Sequence, residues 1–427
     1  MKKIFTLFSC AAMLWACAEK NNVLPAPDPD PENPGTEEPA NTPEFFSDGF
    51  MKGTTLCFAQ YEMDLGLKYR EGGKEKDPYA SLKDHGGNIV RLQLNFEDFP
   101  VYKGATIDWA SWKRVLADAK KAKANGLDVL LTLKPDADVF HDGGTTDHNV
   151  VPAAWMQKNE TQLGDALYEW VYGVLCDLAK EEIYPRAVAV GNEVTVGFLK
   201  ASASDGADAA RTGRLLMKGF RAVRDYAARY NPDVISLLHI DNPSLIEWFV
   251  AEIRRTGCSD FDAVATSWYP GTQIGHRMGN GKYAAFAGIC AELKAQGYGF
   301  MVLETAYTFT LGNDAAGKWA GDWCDNSYYY PDWDDKKNAE NYTPARQRAW
   351  LGALAKELKD AGALGLVTWG TESLPDLLSG KAEGHGLGLY TYPADWGYGS
   401  TWENNSYWDF TDGNNLHEGI DWMKDVL

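Results

Sequence analysis

The sequence predicts an α/β fold: a (β/α)8 TIM barrel with long βα loops in a single domain. Three observations support this. Eight strand-like apolar runs alternate with helical periodicity, no low-complexity break interrupts the chain after residue 44, and a glutamate stands directly at the end of both the fourth and the seventh run. In a barrel of parallel strands the C-terminal strand ends converge on one pit, so carboxylates far apart in sequence can face each other there.

The chain opens with Lys2 and Lys3, an apolar stretch from Ile4 to Trp15, and then Leu14-Trp15-Ala16-Cys17. Residues 1–17 resemble a bacterial lipoprotein signal peptide. That resemblance implies cleavage before Cys17 and acylation of its thiol and new amino group; several acyl chains hold a protein at a membrane where one does not. The expected location is the outer membrane of a Gram-negative bacterium, on the cell surface. A plain secretory signal is the alternative. No other segment approaches the roughly 18 uninterrupted apolar residues of a membrane span. Residues 18–44, as in Pro25-Ala-Pro-Asp-Pro-Asp-Pro31, are too poor in large apolar side chains to fold and form a flexible acidic spacer. Residues 45–427 form the barrel domain.

Within that domain the runs are Thr54 to Ala59, Asn88 to Leu94, Asp128 to Leu133, Ala187 to Asn192, Val234 to His239, Asp262 to Ser267, Phe300 to Glu304 and Leu364 to Trp369. Between them, Trp109 to Asn125, Thr161 to Lys180, Arg211 to Tyr230 and Pro344 to Ala361 have the apolar spacing of amphipathic helices. Asn125-Gly126 and Ala361-Gly362 read as helix C-caps. The segment after the seventh run, Thr305 to Asn341, is too long for a simple connection and is crowded with Trp, Tyr and Asp, which suits a functional loop at the rim.

The formal net charge is −19 without a Lys/Arg cluster, which excludes nucleic acid and disfavours anionic polymers while leaving neutral ones open. Aromatic residues, including 16 Trp, recur in Gly-rich segments such as Trp396 to Trp402. They suit either the C–H faces of sugar rings or an ordinary core. Cys57, Cys176, Cys258, Cys290 and Cys324 match no zinc spacing and read as buried free thiols, and no His-x-x-x-His pair suggests a catalytic metal.

Glu193 follows Arg186-Ala-Val-Ala-Val-Gly-Asn192, and Glu304 follows Gly299-Phe-Met-Val-Leu303. Ending a buried strand on a carboxylate costs hydration, and chemistry is one reason to bear that cost. Two carboxyls about 5–5.5 Å apart are what retaining hydrolysis of a glycosidic bond requires. The plain alternative is two surface glutamates at strand ends. Asn-Glu after the fourth strand and Glu after the seventh resemble the clan A glycoside hydrolases, which are retaining barrels. Longer segments narrow the resemblance to glycoside hydrolase family 53, the endo-β-1,4-galactanases. These are Val188-Ala-Val-Gly-Asn-Glu193 with Gly197-Phe-Leu199, Val302-Leu-Glu-Thr-Ala-Tyr307, Pro152-Ala-Ala-Trp155, Asn88-Ile-Val-Arg-Leu92, Ser267-Trp-Tyr-Pro270 and Trp402-Glu-Asn-Asn405.

The resemblance implies Glu193 as acid/base, Glu304 as nucleophile, Asn192 as ligand of the sugar 2-hydroxyl, and Arg91 as the charge that keeps the nucleophile ionised. It implies Tyr269 as an orienting hydroxyl, Trp369 as a subsite floor, and Asp138, Phe140 and Asp142 as further substrate contacts, with Phe140 where the family has a Trp. The chain departs from the family pattern at Thr55, at Lys134 in place of a His, and at Trp369-Gly-Thr-Glu372. No cofactor is expected. Asp322, Asp325, Asp332, Asp334 and Asp335 offer oxygens for a structural calcium ion, as in some family members, or simply make a solvated acidic loop. The expected substrate is β-1,4-galactan, cut by a monomer. A β-mannanase, a cellulase or a non-catalytic glycan-binding lipoprotein stand as the alternatives. As an acid, Glu193 must titrate above the ordinary ~4.3 of a glutamate, helped by repulsion from Glu304.

Overall fold

The alternating runs become eight parallel strands closed into a barrel in sequence order: β1 Met51–Thr55, β2 Ile89–Asn95, β3 Asp128–Lys134, β4 Ala187–Val190, β5 Ile235–Ile240, β6 Ala263–Ser267, β7 Gly299–Glu304 and β8 Gly365–Thr368, with β1 pairing both β2 and β8. The structure is a computed structural model that describes residues 49–426 apart from 65, 97–100, 103–104, 107, 141–145, 203, 270–283, 311–338 and 375–402. The signal peptide with Cys17, the spacer, Cys324, Asp142 and the five aspartates of the calcium expectation lie outside the described residues. Helices follow the strands: α1 Pro78–Asp84, α2 Trp112–Ala124, α3 Glu160–Lys180, α4 Ala209–Tyr230, α5 Ile246–Arg254, α6 Ala284–Ala295 and α7 Pro344–Asp360.

Because successive strand residues point to opposite faces, each strand serves two cores. Outward Val90, Leu92, Val188, Val190, Val264 and Val302 join the helices in the large outer core. Inward Ile89, Leu130, Ala187, Ala189, Leu237, Ala263, Ala265 and Met301 fill the barrel. Continuing the same alternation toward the C-terminal ends, the inward positions turn polar: Arg91, Thr132, His239 and Ser267 are all buried there. The inner stack is therefore apolar at the bottom and polar at the top, where a barrel's active site forms.

The first strand begins at Met51, three residues before the apolar run, and includes Gly53. A Cβ on Gly53 would sit 1.8 Å from the Ile89 carbonyl oxygen, so only glycine lets β1 approach β2 here. Helix α2 starts later than its periodicity suggests: Trp109 lies in the loop, packed on Phe58 at 4.5 Å between ring centroids, and Ser111 takes the N-cap position without a side-chain capping bond. Both expected C-caps form, with Gly126 at φ +65° and Gly362 at φ +81°. Under the barrel, Lys52 Nζ donates to the carbonyls of Met423 (2.5 Å) and Val426 (2.6 Å), tying the C-terminal turn to the first strand. Cys57, Cys176, Cys258 and Cys290 are buried and lie in no disulfide among the described residues, in line with the reading of their spacing.

One buried carboxyl stands apart. Glu372, just past β8, is fully enclosed, and neither of its carboxyl oxygens has a hydrogen-bond partner of ordinary geometry among the described residues. Burial pushes its pKa up to about 8, offset only in part by the backbone amides of Glu372 and Phe58 and the charge of Arg91. A carboxyl with a raised folded-state pKa favours folding fully below its unfolded value of ~4.3 and loses that contribution as pH rises through about 8. Each unit of difference is worth about 1.4 kcal/mol, so the loss across this window amounts to a few kcal/mol on an order-of-magnitude scale. Denaturant midpoints at pH 5 and pH 9 test this. Glu372→Gln is expected to lose distinctly less stability between them than the wild type, and equal losses would remove Glu372 as the cause.

Candidate active site

Each catalytic candidate is delivered by its own strand end. After β4, Gly191 takes φ +87°, and a Cβ there would meet Val194 Cγ1 at 2.4 Å and Phe198 Cε2 at 2.9 Å. That tight turn carries Asn192 and then Glu193, which itself adopts the left-handed conformation at φ 48°, ψ 50°. A non-glycine residue held there costs on the order of 1 kcal/mol or more, strain of the kind that gathers at functional sites.

Glu304 faces inward for a different reason. Strict alternation would send it outward with Phe300 and Val302, but the β6–β7 ladder shifts register: Thr266 pairs Val302 while Ser267 pairs Glu304. The extra residue in β7 turns the Glu304 side chain to the same face as Ser267, the usual effect of a bulge at the rim of a barrel. A carboxylate oxygen of Glu193, one of Glu304 and a ring nitrogen of His239 all lie within 4.8 Å of one another.

Arg91 organises the pit from β2. Fully buried, it donates from Nε to Thr132 Oγ1 (2.9 Å), from Nη1 to Glu304 Oε1 (2.5 Å) and from Nη2 to Asn192 Oδ1 (2.7 Å). The bond from Arg91 makes Oδ1 the acceptor of the Asn192 amide and leaves Nδ2 as its donor. Tyr269 Oη donates to the other Glu304 oxygen at 3.4 Å. The guanidinium lies 5.3 Å from the Trp369 ring centroid, and Trp369 rests edge-on against Phe58 at 5.7 Å. Buried Lys134 bonds Asp136 Oδ1 (2.6 Å) and Asn149 Oδ1 (3.3 Å).

The environment of Glu193 pushes its pKa up to about 8. Burial contributes most, the Glu304 charge next, and Asp241 adds to it; a hydrogen bond from Ser267 and the charge of Arg91 pull the other way. Desolvation thus outweighs the carboxylate repulsion, the contribution that the sequence reading named as a help. Glu193 is protonated at neutral pH, as an acid must be.

The six expectations at Glu193, Glu304, Asn192, Arg91, Tyr269 and Trp369 converge on one pit. Asp138 and Phe140 lie in a short strand, Ala137–Phe140, paired antiparallel to Thr146–Val150, but their side chains lie outside the described residues. Sequence reading passed over His239, Ser267, Thr195 and Asp241. Thr195 and Asp241 are joined by a short hydrogen bond between Thr195 Oγ1 and Asp241 Oδ1 beside Glu193. A polar residue ending an apolar run, the signal that marked the two glutamates, also marks His239.

Glu193, His239 and Glu304 have the donor atoms a cation would need. In the structure His239 Nδ1 accepts from the Glu193 amide at 3.3 Å, and Glu304 accepts from Arg91 and Tyr269.

A closed (β/α)8 barrel with a protonated carboxyl and an Arg-paired carboxylate at its mouth is the machinery of a glycoside hydrolase. The chain belongs to glycosyl hydrolase family 53, whose family model matches residues 51–419. It is 28% identical over 386 residues to an arabinogalactan endo-β-1,4-galactanase of Cellvibrio japonicus, covering 88% of this chain and 91% of that one. It is 26% identical over 326 residues to an endo-β-1,4-galactanase of Bacillus subtilis, covering 73% and 70%. Among solved structures, the GH53 catalytic domain of Ignisphaera aggregans superposes with a TM-score of 0.69 at 26% identity, over 88% of this chain and 96% of that one.

Proposed function

We propose that the protein is an endo-acting galactanase that cleaves β-1,4-galactosidic bonds in galactan, the neutral side chain of pectin, with retention of configuration. The observation that carries this reading is the approach of one carboxyl oxygen of Glu193 and one of Glu304 to within 4.8 Å, a closeness that suits the ~5–5.5 Å between carboxyl groups in a double displacement. The relatives' names supply the substrate, and the strongly acidic chain suits a neutral polymer.

In the first half-reaction Glu304 attacks the anomeric carbon while Glu193 gives its proton to the departing 4-oxygen. The Asn192 amide donates to the 2-hydroxyl, a bond that strengthens as positive charge builds on the ring. Once Glu304 is an ester its charge is gone, the repulsion that helped hold the Glu193 proton disappears, and Glu193 takes a proton from the incoming water. Protein carboxylates supply all of the chemistry in this scheme, without a cofactor.

Sugar release from β-1,4-galactan, β-mannan and cellulose, followed by NMR of the first-formed anomer, tests the proposal. Preferential galactan cleavage giving the β-anomer first is expected. Initial α-anomer would sink the mechanism, and equal or better action on mannan or cellulose would sink the substrate. The reading includes a monomer held at the outer cell surface through acylated Cys17, since galactan is too large for outer-membrane pores. Mass spectrometry of the mature N-terminus and protease treatment of intact cells check the anchor and its orientation.

A further inference from the structure

Glu193 is held in a ring of hydrogen bonds that the double displacement leaves unexplained. Its backbone N–H donates to His239 Nδ1 at 3.3 Å, which makes that nitrogen the acceptor and puts the imidazole proton on Nε2. Nε2 lies 3.1 Å from Ser267 Oγ. A hydroxyl has one proton to give; having accepted from the imidazole, Ser267 can turn that proton toward the Glu193 carboxyl, whose ionised form it favours. His239 and Ser267 are both fully enclosed, so water does not compete for these bonds.

We propose that His239 and Ser267 are positioning residues for Glu193: His239 fixes the strained backbone of the glutamate and, through Ser267, ties down one of its carboxyl oxygens so that the other presents its proton to the glycosidic oxygen.

Three features support this role. The β6–β7 register shift that turns Glu304 inward also sets Ser267 directly beside it, so one irregularity serves both carboxyls. The left-handed conformation of Glu193 needs a fixed partner for its amide, and His239 supplies it from the neighbouring strand β5. A positioning imidazole must also stay neutral, since a second ring proton would break its bond with the Glu193 amide. Burial and the nearby Arg91 charge hold His239 well below the usual histidine range. Glu193 is faced by Glu304 from β7, Asp241 from the end of β5 and Arg91 from β2. Against the two carboxylates, Ser267 favours the ionised form that Glu193 must reach to act as base.

The inference rests on Glu193 being the acid/base, so its test reads the carboxyl both directly and through turnover. Carbon NMR of the full chain with carboxyl-labelled glutamate, with Glu193 assigned by its loss in E193Q, gives the titration midpoint without substrate. Ser267→Ala is expected to raise that midpoint by about one pH unit, the worth of one hydrogen bond to a charged group. Ser267→Thr keeps the hydroxyl and is expected to restore the wild-type value, whereas His239→Gln, which loses the Nδ1 contact, shifts it in the same direction as Ser267→Ala. On β-1,4-galactan, Ser267→Ala should lower kcat about tenfold with KM nearly unchanged. An unmoved midpoint in Ser267→Ala overturns the proposal whether or not His239→Gln folds. A moved midpoint with undiminished galactan turnover leaves the hydrogen bond standing and overturns the positioning role, whereas an E193Q variant that keeps its galactan turnover overturns the acid/base assignment on which the inference rests.

Discussion

Glu304→Gln is expected to yield a folded protein with turnover on galactan reduced on the order of 10⁴-fold or more, the scale of losing the nucleophile in a covalent mechanism. An amide keeps the size of the side chain and an acceptor for Arg91 Nη1, but it cannot form the glycosyl ester. The second consequence is electrostatic. Arg91 is fully buried and loses its ion-pair partner, and breaking a buried pair costs about 3–5 kcal/mol when the remaining charge finds nothing else. Here Glu193 stands within reach of the same pit, and removing the Glu304 charge removes one of the causes that raise its pKa. Glu193 is therefore expected to titrate below about 8 in the variant and to take over part of the compensation, so the stability loss falls short of that range. Initial rates, denaturant midpoints and the Glu193 titration together check this. Activity within tenfold of the wild type would end the assignment of Glu304, and a Glu193 that titrates as before would end the electrostatic coupling.

The barrel was legible because both of its cores are written as period-2 patterns. Val188 and Val190 alternate with Ala187 and Ala189, and the helices between strands carry their own apolar stripes. The two glutamates were legible as charges placed where an apolar run stops. What turns them toward each other was not. Glu304 sits on the wrong parity for an inward residue, and only the register shift opposite Ser267, a property of strand pairing, brings it round. The left-handed turn at Glu193 is likewise invisible in a string of residue names, although Gly191 beside it hints at a tight bend. His239 and Ser267 were overlooked because a histidine or serine in a strand is ordinary; their meaning comes from a contact across two neighbouring strands. The start of β1 was misplaced because Gly53 looks like a break and is in fact the residue that lets two strands meet.

Glu193→Ala is the complementary experiment, and its effect depends on the leaving group. On galactan the departing group is a sugar alkoxide that must be protonated, so removal of the general acid is expected to cost about 10²–10⁴-fold. With an aryl β-galactobioside carrying a dinitrophenyl group, departure needs no proton; Glu304 still attacks the anomeric carbon and displaces dinitrophenolate, and the slow step becomes hydrolysis of the ester without a base. Azide, a nucleophile that needs no deprotonation, should then restore turnover and give the β-glycosyl azide, while leaving the rate on galactan low. The pH profile follows from the same proton. In the wild type kcat/KM is expected to fall as pH rises through about 8, because the free enzyme loses the acid form of Glu193 there. In Glu193→Ala with the aryl substrate that alkaline limb should vanish. Were it to persist, another group would own it. Were azide to give no adduct, or the α-azide, Glu193 would not be the acid/base of a retaining reaction, however close its carboxyl lies to Glu304.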